Sequence, residues 1–290
     1  TNTTTITSGT YTILWNFGDN VTSTTISPSH TYATIGTFIP KLVTTSNFGC
    51  KDSLSNTINV RPHPLSSFTI NDTTQCLKGN SFAYTNNSTI VSGTFTNQWK
   101  FGDNTTSTTP SPSHTFASAA NFSTRLVLTS NYGCKDSTNK LLYVFPMPNL
   151  NFTINDSTQC LRGNNFAFTN GSGISSGTLT YLWRFGDNTT SALTSPTHIY
   201  ATANTFPVKL TSISNNSCSD SITKNIYVYP MPVAGYSIND TTQCRKGNNF
   251  VFTNNSTISS GTLTYQWRFG DNTTSVLTSP SHTYATQNTY

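Results

Sequence analysis

The four tryptophans of this chain stand at Trp15, Trp99, Trp183 and Trp267, one every 84 residues. Each leads into the same turn: Phe17-Gly18-Asp19-Asn20, Phe101-Gly102-Asp103-Asn104, Phe185-Gly186-Asp187-Asn188 and Phe269-Gly270-Asp271-Asn272. The cysteines keep the same phase in two series, Cys50, Cys134 and Cys218 in one, Cys76, Cys160 and Cys244 in the other. A long fixed step without insertions marks one module copied in tandem. Rods, stalks and multivalent binders are built this way, whereas an enzyme rarely needs four near-identical copies of anything.

Charged residues make up only 9% of the 290, against about 25% in an average soluble protein. The surface is therefore solvated mainly by hydroxyl and amide groups, as suits an extracellular protein carrying sugar. The net charge of +5 is spread thinly, with no basic run to track a phosphate backbone, so nucleic acid is not an expected partner. No apolar stretch reaches the roughly 18–20 residues that cross a bilayer. Paired cysteine series in such a chain read as oxidising surroundings, at the cell surface or outside it.

Read along the second copy, Ser67–Asn71 and Ser81–Thr85 alternate as strands, with a turn-like segment, Asp72–Asn80, between them. In Phe95–Phe101 the residues Phe95, Asn97, Trp99 and Phe101 share one face, and Gly102-Asp103-Asn104 ends the strand with residues that tolerate positive φ. Phe122, Leu126 and Leu128 alternate with polar neighbours, Asn131–Cys134 turns the chain, and Leu141–Phe145 closes the copy. No segment has helical spacing. Seven or so short strands in about 82 residues predict an all-β fold, a tandem array of antiparallel β-sandwiches. The tryptophans Trp15, Trp99, Trp183 and Trp267 share the phase of the apolar faces and are expected in the cores.

The run W-x-F-G-D, then S-P-S-H-T-Y, then a strand ending in N-x-G-C, resembles the PKD domain, an immunoglobulin-like sandwich of surface proteins. Tandem copies with this cysteine pair resemble those of large secreted proteins of Bacteroidota. The usual family turn is W-D-F-G-D-G. Here Asn16, Lys100, Arg184 and Arg268 follow tryptophan and the last position is Asn, which weakens any calcium site built on the turn. Alternating prolines at Arg61–Pro64, Phe145–Pro148 and Tyr229–Pro232 mark short stiff connectors. The expected modules are 1–61 (partial, lacking its first strand), 65–146, 149–230 and 233–290 (partial, lacking its last strands), stacked as a rod. Both ends fall inside a module. The chain then reads either as a window onto a longer polymer, the favoured expectation, or as a subunit whose ends complement a neighbour's.

The aspartates Asp19, Asp103, Asp187 and Asp271 read as structural acceptors of backbone N–H groups in tight turns; no second acid stands nearby to make a catalytic pair. His30, His114, His198 and His282 recur beside an aromatic without other ligands at zinc spacing. No nucleophile–base arrangement, phosphate loop or dinucleotide fingerprint is present, so no catalytic residue, metal or cofactor is expected. N-x-S/T occurs in register at Asn71, Asn155 and Asn239 and at Asn104, Asn188 and Asn272. A second in-register set, Thr73, Ser157 and Thr241 with Ser53, Ser137 and Ser221, follows aspartate and resembles the O-glycosylation motif of Bacteroidota. Good turn chemistry explains the same Asp-Ser and Asp-Thr pairs equally well, so covalent glycans on these positions stay an expectation.

The immunoglobulin-like resemblance also bears on the cysteines. In such a sandwich Cys76 lies where the chain leaves a module and Cys134 where it enters, about 20–30 Å apart, whereas bridged Cα atoms lie within about 7 Å. This implies an interdomain bond between Cys76 and Cys218, with Cys50, Cys134, Cys160 and Cys244 paired to modules outside the chain. The rival is a bond between Cys76 and Cys134 within one module. The favoured function is a structural, glycosylated extracellular rod or filament whose partners are further copies of the module. The alternatives are an adhesin stalk binding surface carbohydrate or protein, and the spacer of a large secreted hydrolase. Uniform loops, such as Ile174–Gly177 and Ile258–Gly261, favour the scaffold, although identical copies also suit multivalent binding.

Overall fold

The computed structural model describes residues 1–290. It contains strands and turns and no α-helix. The chain divides into two compact units, Thr1–Phe145 and Pro146–Tyr290, each holding one complete repeat and one partial one.

In the complete repeat of the first unit the strands are β1 (Phe68–Ile70), β2 (Thr74–Cys76), β3 (Phe82–Asn86), β4 (Phe95–Lys100), β5 (Thr106–Ser107), β6 (Ser113–His114), β7 (Asn121–Ser130) and β8 (Lys135–Phe145). They form a five-stranded sheet, β5-β4-β7-β8-β2, and a three-stranded sheet, β6-β3-β1. The complete repeat of the second unit has the same eight strands in the same order, from Phe152–Ile154 to Ser219–Tyr229.

One pairing departs from the antiparallel expectation. The turn-like segment after β1 contains β2, which runs parallel to the end of β8, with Cys76 level with Phe145. The chain crosses here from one sheet to the other, and three residues suffice to pair before Gly79 turns it back at φ 79°. The last strand is also longer than its apolar pattern suggested and begins at Lys135. Its first half is polar because only its second half faces the core.

The alternation of β4, β7 and β8 puts Trp99, Leu126, Leu128, Leu142 and Val144 on one face, against Phe68, Phe82 and Tyr84 of the other sheet. Trp99 and Trp183 are fully buried. Phe68 meets Trp99 edge-on at 5.0 Å and Tyr84 covers it at 5.2 Å. The indole N–H donates to the Thr109 carbonyl at 3.0 Å, and that of Trp183 to Leu193.

Trp15 and Trp267 are only half-buried, contrary to the expectation of four core tryptophans. Residues 1–61 supply no counterparts of Phe68 and Tyr84, so Trp15 keeps a single aromatic neighbour, Phe17, and its buried N–H finds no acceptor. Residues 233–290 supply no counterpart of the β7–β8 hairpin. An open cleft of about 570 Å³ lies there, lined by Phe252, Trp267 and Tyr284, where the preceding repeat seats Val208, Leu210, Ile226 and Val228. Pro40, which has no backbone N–H, splits the first repeat's counterpart of β7 into Gly36–Phe38 and Lys41–Ser46.

Trp183→Ala is expected to destabilise the second unit by about 3–5 kcal/mol, the usual cost of emptying a core aromatic site. Trp267→Ala should cost clearly less, because its site is already open. Urea unfolding followed by far-UV circular dichroism measures both; equal losses would contradict the packing described.

Candidate functional site

The turn after each tryptophan is built around one carboxylate. Gly102 has φ 94° and Asn104 φ 70°, and a Cβ on Gly102 would lie 3.0 Å from the Ser123 backbone, so only glycine lets the turn rest against β7. Asn20, Asn188 and Asn272 have φ between 66° and 71°. This left-handed geometry is what the family's glycine serves and what asparagine tolerates best among the others.

Asp103 Oδ1 accepts the Thr105 amide at 3.0 Å and the Thr105 hydroxyl at 2.5 Å. Its Oδ2 lies 2.7 Å from His114 Nε2. A carboxylate can only accept, so the proton sits on Nε2. The imidazole stacks on Phe101 at 4.1 Å and 6° and meets Phe116 edge-on; Phe116 in turn stacks on Phe122. The pair recurs at the same 2.7 Å in Asp19–His30, Asp187–His198 and Asp271–His282. Aspartate and histidine, read separately along the sequence, therefore form one clip. The signal was there, as the two lie eleven residues apart in every copy.

Burial opposes ionisation of Asp103 and Asp187, but the hydrogen bonds from threonine and histidine outweigh it and hold both carboxyls below the usual range. For Asp19 burial is likewise outweighed, by His30 and the Val21 amide. In Asp271 the Thr273 hydroxyl acts first, ahead of opposing desolvation, and the carboxyl falls to about 2. Burial pushes the Tyr84 hydroxyl up to about 12, and raises that of Tyr200.

A second clip was not anticipated at all. Asn80, almost fully buried, donates from Nδ2 to the Leu77 and Phe116 carbonyls and accepts the Phe116 amide, all within 2.9 Å. Asn164 and Asn248 do the same for Tyr200 and Tyr284. A buried asparagine cannot be told from the many exposed ones by composition.

The glycosylation candidates differ in what their side chains do. Asn71, Asn155 and Asn239 each span two strands, Nδ2 donating to the residue-81, 165 or 249 carbonyl and Oδ1 accepting the residue-83, 167 or 251 amide. Asn104, Asn188 and Asn272 are exposed at the turn tips, as are Thr73, Ser157, Thr241, Ser53 and Ser221 on their segments. Ser137 is half-buried and accepts a bond from Arg125.

Cys50, Cys134, Cys160 and Cys244 are free thiols. Cys76 is level with Phe145 at the end of β8, and Cys134 precedes its start, eleven residues and about 36 Å away.

No group of three or more His, Cys, Asp or Glu side chains is placed to hold a metal ion, and no helix is long and apolar enough to cross a membrane.

The model of the PKD domain matches four times, at residues 1–62, 64–144, 147–229 and 230–290. No curated protein matches the chain. Among solved structures, the PKD1 domain of the Vibrio cholerae metalloprotease PrtV is 30% identical, covering 28% of this chain and 96% of its own, with a TM-score of 0.26. The PKD1 domain of Vibrio anguillarum Epp is 25% identical over 28% of this chain and 93% of its own, with the same TM-score of 0.26. Extracellular domains 3–5 of Drosophila OTK are 8% identical, covering 76% and 85%, at a TM-score of 0.39.

The carboxylates held low in the fold imply acid sensitivity. Their ionised form is stabilised by folding, so their contribution is whole above the unfolded carboxyl pKa, about 4, and is lost as pH falls through the depressed values towards about 2 for Asp271. Asp187→Asn should flatten the fall in unfolding free energy of the second unit between about pH 4 and pH 2; an unchanged slope would dismiss the clip. Asn164→Ala, which strands three buried backbone groups, should cost about 2–3 kcal/mol at neutral pH by urea unfolding.

Proposed function

The chain belongs to the PKD domain family, and on that premise we propose that it is a structural stalk of an extracellular or cell-surface protein, a glycosylated rod of stacked sandwiches without catalytic activity. PKD and immunoglobulin-like domains are typical of extracellular proteins, and the repeat architecture is typically non-catalytic. The observation that carries the reading is the sameness of the copies. The Asp–His clip keeps one geometry in all four, and the loops Ile174–Gly177 and Ile258–Gly261 are identical. A binding module diversifies its loops, whereas a scaffold repeats them.

A staple between Cys76 and Cys218 belongs to this reading. Its support is that the other four cysteines are free thiols, and that the ends of β8 hold the two cysteine series apart within a repeat. Sugar belongs to it as well. Thr73, Ser157 and Thr241 are exposed and follow an aspartate whose carboxylate accepts the amide two residues on. With so few charges, glycans would keep a long rod in solution.

Electron microscopy of arrays with increasing repeat number should show rods that lengthen by a constant step; compact particles would refute the stalk. A non-reducing peptide map should contain one linked peptide joining Cys76 to Cys218, and reduction should release it. Intact-mass analysis of native material should exceed the bare polypeptide, with the excess on Thr73, Ser157 and Thr241; a mass equal to the polypeptide would remove the glycans from the account.

A further inference from the structure

Across the outer face of the five-stranded sheet, one row of four residues places two cations side by side. In the first unit the row reads Thr106, Lys100, Arg125, Asn139, each directly opposite the next on its neighbouring strand. In the second unit it reads Thr190, Arg184, Lys209, Thr223. All eight side chains are exposed. Directly opposed residues share a face with Cβ atoms about 5 Å apart, and like charges placed so are destabilising. The two repeats arrive at the same double cation with lysine and arginine exchanged, so the charge, not one side chain's packing, is common to both. The partial repeats hold one cation each in this row, Lys41 opposite Asn16 and Arg268 opposite Thr274.

No ion pair within either unit involves these four cations. The chain has ten carboxylates, all aspartate. Asp19, Asp103, Asp187 and Asp271 are held by histidine. Asp72, Asp156 and Asp240 cap the turns before residues 74, 158 and 242. Asp136 accepts the Ser66 amide, while Asp52 and Asp220 each accept the amide of the following serine. Asp136 lies opposite Leu128 in the register, on the other side of the sheet from Arg125.

We propose that these rows bind an anionic polysaccharide of the polyuronate kind. A single carboxylate can sit between two cations on adjacent strands, while the flanking threonine and asparagine side chains hydrogen-bond the hydroxyls of its sugar. Binding one acidic sugar per repeat is weak; repeating the row along one chain converts later contacts into intramolecular ones and raises the avidity. A nucleic acid fits less well, because its closely spaced phosphates are met by clusters of cations, and each row has two. The proposal does not depend on the stalk reading, since a rod with or without glycans can carry these rows.

The test is affinity electrophoresis of the whole chain in native gels containing polygalacturonate, with dextran and double-stranded DNA as parallel arms. Retardation by polygalacturonate and not by dextran, weakening with salt, is expected. The variant carrying Lys100→Gln, Arg125→Gln, Arg184→Gln and Lys209→Gln should lose at least tenfold in apparent affinity. Its melting temperature should be equal to or above the parent's, because repulsion has been removed. A charge-matched control with Lys51→Gln, Arg162→Gln, Arg245→Gln and Lys246→Gln should stay within about threefold. Should the first variant misfold, Arg125→Glu with Lys209→Glu converts both pairs into opposite-charge pairs and must abolish binding equally. No retardation, equal loss in the control, or DNA bound as tightly as polygalacturonate with the same loss would each overturn the proposal.

Discussion

One indole per repeat holds the two sheets together. In the complete repeats Trp99 and Trp183 have no exposed surface. Each receives an aromatic edge from the first strand and a tilted ring from the third, and gives its N–H to a loop carbonyl ten residues on. That one side chain thereby sets the separation of the sheets and anchors the loop after the short fifth strand. The partial repeats show the dependence from the other side. Where one sheet's contribution is absent, the indole of Trp15 keeps an unsatisfied N–H and that of Trp267 borders a cleft.

Next to the indole, the repeats solve one hydrogen-bonding problem in two ways. The carbonyl at the end of the Trp-x-Phe strand is buried and needs a donor. In the second unit Tyr200 reaches Phe185 O at 2.8 Å, and Tyr284 reaches Phe269 O at the same distance; Tyr32 serves Phe17 O in the first repeat. In the remaining repeat that position is Phe116, which has no hydroxyl. Thr124 takes over, donating to Phe101 O, and its own oxygen lies 3.1 Å from the Tyr84 hydroxyl. The third repeat has Val208 and Phe168 at those two sites, both buried and without polar atoms. Three substitutions thus move together because an unpaired carbonyl in this place would cost about 1–3 kcal/mol.

The same logic separates what could be read in the sequence from what could not. Period, strand alternation and the complete-repeat core were legible because Trp99, Leu126 and Leu128 obey a two-residue rhythm that burial enforces. The resemblance to PKD domains rested on the turn residues, whose geometry leaves little choice at Gly102. β2 was not legible, since three polar residues pairing in parallel have no pattern of their own. Nor was Asn80, whose role depends on a partner 36 residues away. The clip was half visible: each of its residues was singled out, but distance in the chain hid the contact.

The electrostatics of the surface follow from the turns. A fold with many tight turns needs short acceptors for amides that no strand partner reaches, and aspartate fills that need. Here that demand takes up the acidic side chains, so the few carboxylates lie in turns, at strand starts or against histidine, and not on the outer sheet faces. Lysine and arginine seldom have such a local task, Lys224 at the Phe152 carbonyl being an exception, because a strand needs no cation to complete its backbone bonds. They stand where a long chain can snorkel over a half-polar surface. The imbalance on the sheet face is therefore built in: acids are consumed by geometry and cations are left outward, in a chain whose net charge is only +5. Two such cations placed opposite each other in both complete repeats oppose the stability of the sheet they sit on. A scaffold selected for stiffness alone has no use for that opposition, whereas a surface that meets an anion does.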